Sequence, residues 1–189
     1  VDSIGQFFLR EVYRFRNYIV SGDFDHFLTK PISPLFRALF GGSDILDIPI
    51  IAISIGLIII SAAQIGPVTL GSLIVFLLLL ANALIIALAF HIFILGLGVL
   101  TTEIENSTMI YRDLTQMGRI PVDVYREPLR ALITFVIPIG IMMTFPAKAL
   151  MGLLSWQFAA ASILISTVAF LLCLKFWHFA LTRYSSASS

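Results

Sequence analysis

Residues 68–102 contain no Asp, Glu, Lys or Arg. At 1.5 Å per residue, a helix of that length reaches about 50 Å, while a bilayer core is about 30 Å thick. Two crossings would need a turn near the centre, and residues 76–95 contain neither Gly nor Pro. The run therefore predicts one long helix that projects beyond a bilayer or begins as a loop. Only a closed barrel or a helix satisfies its backbone in lipid, and runs this long and continuous belong to helices.

The rest of the chain fits that frame. It is 59% hydrophobic and 12% charged, with mean hydropathy +0.99; soluble domains carry about 25% charged residues. Residues 48–65 form a second charge-free run, closed by the Gly66-Pro67 turn. A third span is expected at 129–146, kinked at Pro138 because proline removes a helix hydrogen bond. Pro146, Lys148 and Gly152 mark a reversal, with a short surface helix over 147–156. The last span is expected at 157–176, ahead of a disordered serine-rich tail at 181–189. The expected fold is all-α and polytopic. Residues 1–47 are an amphipathic cytoplasmic region, 48–180 the transmembrane domain, and 103–128 a cytoplasmic loop in which 109–117 can form a helix that Gly118 and Pro121 break.

Residues 1–20 read as an amphipathic helix. Arg10, Arg14 and Asn17 lie along one side, and Phe8, Val12, Phe15 and Ile19 along another. The segment suits a membrane interface or the cytoplasmic end of a spanning helix.

Charge sets the orientation. With four spans, eleven of the twelve Lys and Arg residues fall on one side, with Lys148 alone on the other, and all eleven acids join the majority. The positive-inside rule makes that side cytoplasmic, with both ends of the chain on it.

Several chemistries find no residues to carry them. The three histidines His26, His91 and His178 have no ligand spacing. Neither a Gly-x-Ser-x-Gly nor a phosphate-binding Gly-x-x-x-x-Gly-Lys-Ser/Thr sequence occurs. The single cysteine, Cys173, lies in an apolar run. No basic patch suits nucleic acid. His91 lies at membrane depth, either as a packed neutral group or as part of a path. The spans hold no acid for proton or sodium coupling, so transport energised from outside the chain fits better than a secondary transporter.

Residues 22–34 are a polar and aromatic knuckle before the first span. Asp23 suits a helix N-terminus, and Phe24, Phe27 and Leu28 share one face at i, i+3, i+4. Pro31 ends the helix. The ridge is either a docking surface for a soluble partner or a connector that tucks its phenylalanines into the membrane surface.

Three stretches, 111–125 (Tyr-Arg-Asp-Leu-Thr-Gln-Met-Gly-Arg-Ile-Pro-Val-Asp-Val-Tyr), 128–140 (Pro-Leu-Arg-Ala-Leu-Ile-Thr-Phe-Val-Ile-Pro-Ile-Gly) and 144–152 (Thr-Phe-Pro-Ala-Lys-Ala-Leu-Met-Gly), resemble the permease subunit of ABC-2 type exporters. The shared signature is carried by Arg119, Pro121, Tyr125, Leu129, Arg130, Pro138, Phe145, Pro146 and Gly152. The knuckle Gly-Asp-Phe-Asp-His-Phe-Leu-Thr-Lys-Pro resembles the family's stretch between its second and third spans. The resemblance implies a type V exporter-like domain with six spans, of which four are present and two would precede residue 1. It implies a coupling helix, carried by Gly22, Asp23, Phe24, Asp25, Phe27, Leu28, Lys30 and Pro31, that docks on ATPase subunits. It also implies a second permease copy or related permease, beside the bilayer that composition already requires and the absence of nucleic acid that the charge pattern predicts. No cofactor is expected in this chain; ATP and Mg²⁺ would be held by the ATPase subunits. The chain would then be no enzyme itself but the path of an exporter in a prokaryotic plasma membrane, with Pro138 and His91 as candidate path or gating residues. The alternatives are a scaffold that recruits cytoplasmic partners and a secondary transporter.

Overall fold

A computed structural model describes residues 1–101 and 104–185, the side chains of residues 104–108 excepted. The regular structure among them is entirely helical. Among the described residues three helices are long and apolar enough to cross a membrane: α5 (Asp47–Ile65), α6 (Leu70–Thr101) and α10 (Trp156–Thr182). None of the residues of α5 is buried, so its Ile-rich surface requires lipid or another apolar partner around it. The 32-residue α6 reaches about 48 Å and is the axis on which the other helices pack.

Parallel to α6 runs α10. Ser166 donates a hydrogen bond to Asn82 Oδ1, and Gly96 lies against Phe176 and Trp177. One end of this pair is marked by Trp177 and Val99 and the other by Trp156 and the Gly66 turn; we call them the near and far ends.

The N-terminal segment is helical over α1 (Asp2–Leu9), tightens to a 3₁₀ turn at Arg10–Arg14 and continues as α2 (Phe15–Ser21). Val12, Phe15 and Ile19 are buried against Ile92, Leu95 and Val99, as the amphipathic pattern predicts. Phe8 instead stays 47% exposed, because the 3₁₀ turn rotates α1 out of phase. Val1 shares a cavity with Leu57, Phe76 and Leu80, so α1 runs beside the spanning helices rather than lying across their ends. Arg10 then pairs with Asp44 and, at 3.8 Å, with Asp47 where α5 begins.

Helix α7 (Ile104–Met117) includes the expected helix at 109–117, starts earlier, and corrects the placement of 103–128 as a loop outside the bundle. It doubles back along α6, setting the Tyr111 ring 4.7 Å from His91 and 5.6 Å from Phe90. Tyr111 and Thr115 face inward, while Arg112, Asp113 and Gln116 face outward. By Gly118 the chain lies against Ile139 and Met143, which pack beside the first half of α6. The segment from α7 onward thus carries the chain from the near end to the far end.

The expected third span is corrected as well. Residues 129–150 form two helices, α8 (Leu129–Val136), π-helical over its last five residues, and α9 (Ile139–Leu150). They meet at 88° across Pro138. Proline lacks the N–H that would continue the ladder, and the bend is far sharper than a kink. Arg130 near the start and Lys148 near the finish both hold Asp123, at 2.8 and 2.6 Å. A segment whose two ends grip one carboxylate returns to its starting level. It is a re-entrant hairpin, not a crossing.

Two smaller corrections follow. Residues 147–150 belong to α9 and 151–155 to a turn, so no separate surface helix forms there. Leu181 and Thr182 are the last residues of α10, and Tyr184 is bonded to the body, so the expected tail at 181–189 starts too early; its residues 186–189 lie outside the described residues.

Candidate functional site

Short-range chemistry builds the near-end knuckle. Gly22 adopts φ +79°, the left-handed cap that ends α2, and α3 (Asp23–Thr29) starts at the next residue. Asp23 and Asp25 lie in its first turn, where negative charge is favoured. Asp23 accepts from the Ser21 hydroxyl at 2.7 Å rather than from a following N–H. Lys30 is extended ahead of Pro31, as the residue before a proline prefers. Ser33 then caps α4 (Pro34–Phe40), accepting from the Phe36 N–H at 3.4 Å.

The expected ridge faces the wrong way for docking. Phe24 is 0% and Phe27 5% exposed. Phe24 sits in an aromatic cage: its ring centroid lies 5.0 Å from Phe15, 5.1 Å from Tyr184 and 6.4 Å from Trp177. Phe27 stacks on Tyr18 at 5.0 Å and carries the Arg37 guanidinium at 4.6 Å. Apolar side chains this large bury themselves in the nearest available core, and here the chain supplies it. Of the predicted ridge only Leu28 is exposed, at 42%. The outward face of α3 is Asp23, His26, Leu28, Thr29 and Lys30, with Pro31 beyond it.

Asp25 accepts from the Tyr184 hydroxyl at 2.9 Å, tying α3 to the end of α10. Burial and that bond push the Tyr184 phenol up to about 12, so it stays a donor throughout the physiological range. Trp177 lies between the cage and Gly96 of α6. The knuckle is therefore fastened to both long helices. Glu11, which sequence reasoning passed over, is 7% exposed and accepts from Tyr18 at 2.6 Å. The signal existed: Glu11, Phe15 and Tyr18 fall at i, i+4, i+7 on the buried stripe.

At the other end of the bundle lie the signature residues. Pro121 opens a turn in which the Val122 N–H donates to Thr144 Oγ1 at 3.3 Å. Tyr125 donates to the Met117 carbonyl at 3.0 Å. Phe145 and Pro146 are buried in α9, and Gly152 makes the following turn. Arg119 and Leu129 are exposed there. Arg130 and Phe158 share a cavity, and Phe158 lies in the first turn of α10, about 40 Å from Tyr184. Residues 119–130 thus stand at the opposite end of the bundle from α3, not beside it. The basic residues divide accordingly: Arg10, Arg14, Arg16, Lys30, Arg37, Lys175 and Arg183 toward the near end, Arg119, Arg126, Arg130 and Lys148 toward the far end. Lys148 has company there, and so do the acids Asp123 and Glu127.

The hydrogen bond from Lys148, with Arg130 adding its charge, holds the Asp123 carboxyl below its usual range. A lowered folded pKa means stabilisation that is complete above the ordinary Asp value and lost as pH falls through the lowered one. Acidification into that range is expected to loosen the hairpin. A fluorophore at residue 136 should report the transition in the native chain and lose it in Asp123→Asn.

His91 is buried, its Nδ1 2.7 Å from the Ala87 carbonyl oxygen and its ring edge-on to Tyr111. That is packing between α6 and α7, while Pro138 lies at the bend of the hairpin.

Comparison with known proteins agrees with this architecture. A family model described as "ABC-2 family transporter protein" matches residues 1–188. No curated protein and no solved structure matches the chain. The match covers the knuckle, the long helices and the hairpin alike, and the chain belongs to the ABC-2 transporter family as a membrane permease component.

Proposed function

We propose that the chain is the permease subunit of an ATP-driven exporter and is coupled to separate ATPase subunits through the outward face of α3. ATP and Mg²⁺ would be held by those subunits. The observation that carries this reading is the fastening of α3. The cage of Phe15, Phe24, Trp177 and Tyr184, together with the Asp25–Tyr184 bond, makes the knuckle one body with the near ends of α6 and α10. A push on the exposed face then moves the long helices rather than a loose loop. The aromatic ridge transmits the push, and Asp23, His26, Leu28, Thr29 and Lys30 receive it.

Helix α7 supports a translocation path. A helix that climbs along α6 with Arg112, Asp113 and Gln116 outward is costly against lipid. A second permease copy facing it would enclose that polar stripe in a water-filled path. Apart from Asp47 in the first turn of α5, no acid lies in α5, α6 or α10, and the acid that α7 brings to this path, among its described side chains, is the exposed Asp113. The excess of Lys and Arg at the near end supports a cytoplasmic α3 under the positive-inside rule, and the plasma membrane of a prokaryote is the expected setting.

Co-purification with the ATPase subunits tests the docking face. Leu28→Asp combined with Lys30→Glu is expected to weaken association at least about tenfold, the effect of losing a well-placed interface anchor. The thermal stability of the permease should not change. Full association and full stimulation of ATP hydrolysis in that variant would remove α3 from the interface.

A further inference from the structure

We propose that the re-entrant hairpin holds one aminophospholipid at the far end, with its phosphate on Arg130 and Lys148, its ammonium on Glu127 and an acyl chain over Phe135, Phe145 and Phe158. These side chains line a single cavity of about 310 Å³ between the hairpin and the first turn of α10. Room on that scale takes a headgroup and the first carbons of a chain, not a whole lipid.

The polar wall has donors and acceptors to spare. Arg130 spends one terminal nitrogen on Asp123, and Lys148 spends its ammonium on the same carboxylate. Two cations share one anion there, and a guanidinium carries five N–H groups and an ammonium three. Glu127 uses Oε2 to accept the Ala131 N–H at 3.1 Å, which leaves Oε1 for a cation. The wall thus presents a cationic pair and a separate carboxylate, which complements a zwitterion with a primary amine better than a lone anion. A phosphate bridging Arg130 and Lys148 gains charge-assisted hydrogen bonds.

The surroundings specify lipid. Val136 on α8 is 71% exposed, Leu153 beside the cavity 70% and Trp156 at the start of α10 75%. Apolar side chains at that density face acyl chains, and tryptophan marks headgroup depth. The site concerns the hairpin alone and does not depend on α3 meeting an ATPase.

The purified permease in vesicles of phosphatidylethanolamine, phosphatidylcholine or phosphatidylglycerol provides the test, read as lipid retained after detergent extraction and as thermal stability. Phosphatidylethanolamine should be retained about threefold over phosphatidylcholine, whose quaternary amine has no N–H to donate to Glu127. Glu127→Gln keeps the bond to Ala131 and should abolish that preference while leaving retention of phosphatidylglycerol unchanged. Lys148→Gln should lower retention of all three about tenfold. Inorganic phosphate alone should not stabilise the protein; if it does so as well as lipid, the site is one for free phosphate. Equal retention of the three lipids, or a preference that survives Glu127→Gln, would overturn the assignment.

Discussion

Replacing Phe24 by alanine is expected to cost about 3–5 kcal/mol, the usual range for emptying a buried phenylalanine site. The ring is fully enclosed by Phe15, Trp177 and Tyr184. Folded proteins hold about 5–15 kcal/mol in total, so the variant should lose much of its margin and Phe24→Asp should not accumulate folded. Tyr184→Phe keeps the ring, gives up only the bond to Asp25, and should be several-fold milder. Leu28→Asp, on the opposite face, should change stability by no more than about 0.5 kcal/mol. Thermal unfolding in detergent followed by size exclusion separates these outcomes. The series also distinguishes the two roles of α3: the inward face fails by unfolding, the outward face by losing a partner while the permease stays intact.

The hairpin makes the second large prediction. The bend at Pro138 folds α8 back so that Thr134 lies over Gly140. A Cβ at residue 140 would meet the Thr134 Cα at 3.1 Å and Val122 Cγ1 at 2.9 Å. Backbone cannot move aside as a side-chain tip does. Gly140→Leu should therefore cost about 1–3 kcal/mol from overpacking alone and open the hairpin. Its signature is local: cross-linking between cysteines placed at 135 on α8 and 145 on α9, which line one cavity, should fall, while association of α3 with its partner is retained. If Gly140→Leu cross-links as efficiently as the native sequence, α8 and α9 do not close on each other.

The parts of this structure that follow local rules were legible in the sequence. Two charge-free runs became α5 and α6, Gly22 and Pro31 bracket α3, and Pro138 breaks the chain. The helix in 109–117 was legible but its place along α6 was not, because its averages cancel: Tyr111, Leu114 and Thr115 face the bundle while Arg112, Asp113 and Gln116 face out, so mean hydropathy reads as a solvated segment. The i, i+3, i+4 spacing of the inward residues carried the information. Reading α7 as part of a cytoplasmic loop forced the crossing onto residues 129–146, and that error moved a whole set of charges to the wrong end. The long-range pairs that settle the matter, Asp123 with Lys148 and Asp25 with Tyr184, leave no mark in local periodicity. The direction of the Phe24 ridge was undecidable for the same reason. An apolar stripe says that something covers it, and only the tertiary fold showed the cover to be α10.

The arrangement of the two ends is the premise on which both the docking face and the hairpin site rest, and side-specific labelling tests it most directly. In a Cys173→Ser background, Thr29→Cys and Val124→Cys each place a thiol on an exposed position. A membrane-impermeant maleimide added to sealed vesicles of one orientation should label one of them and spare the other, and vesicles of inverted orientation should reverse the pattern. Labelling of both thiols from the same side would return residues 119–130 to the face that bears α3 and contradict the re-entrant hairpin.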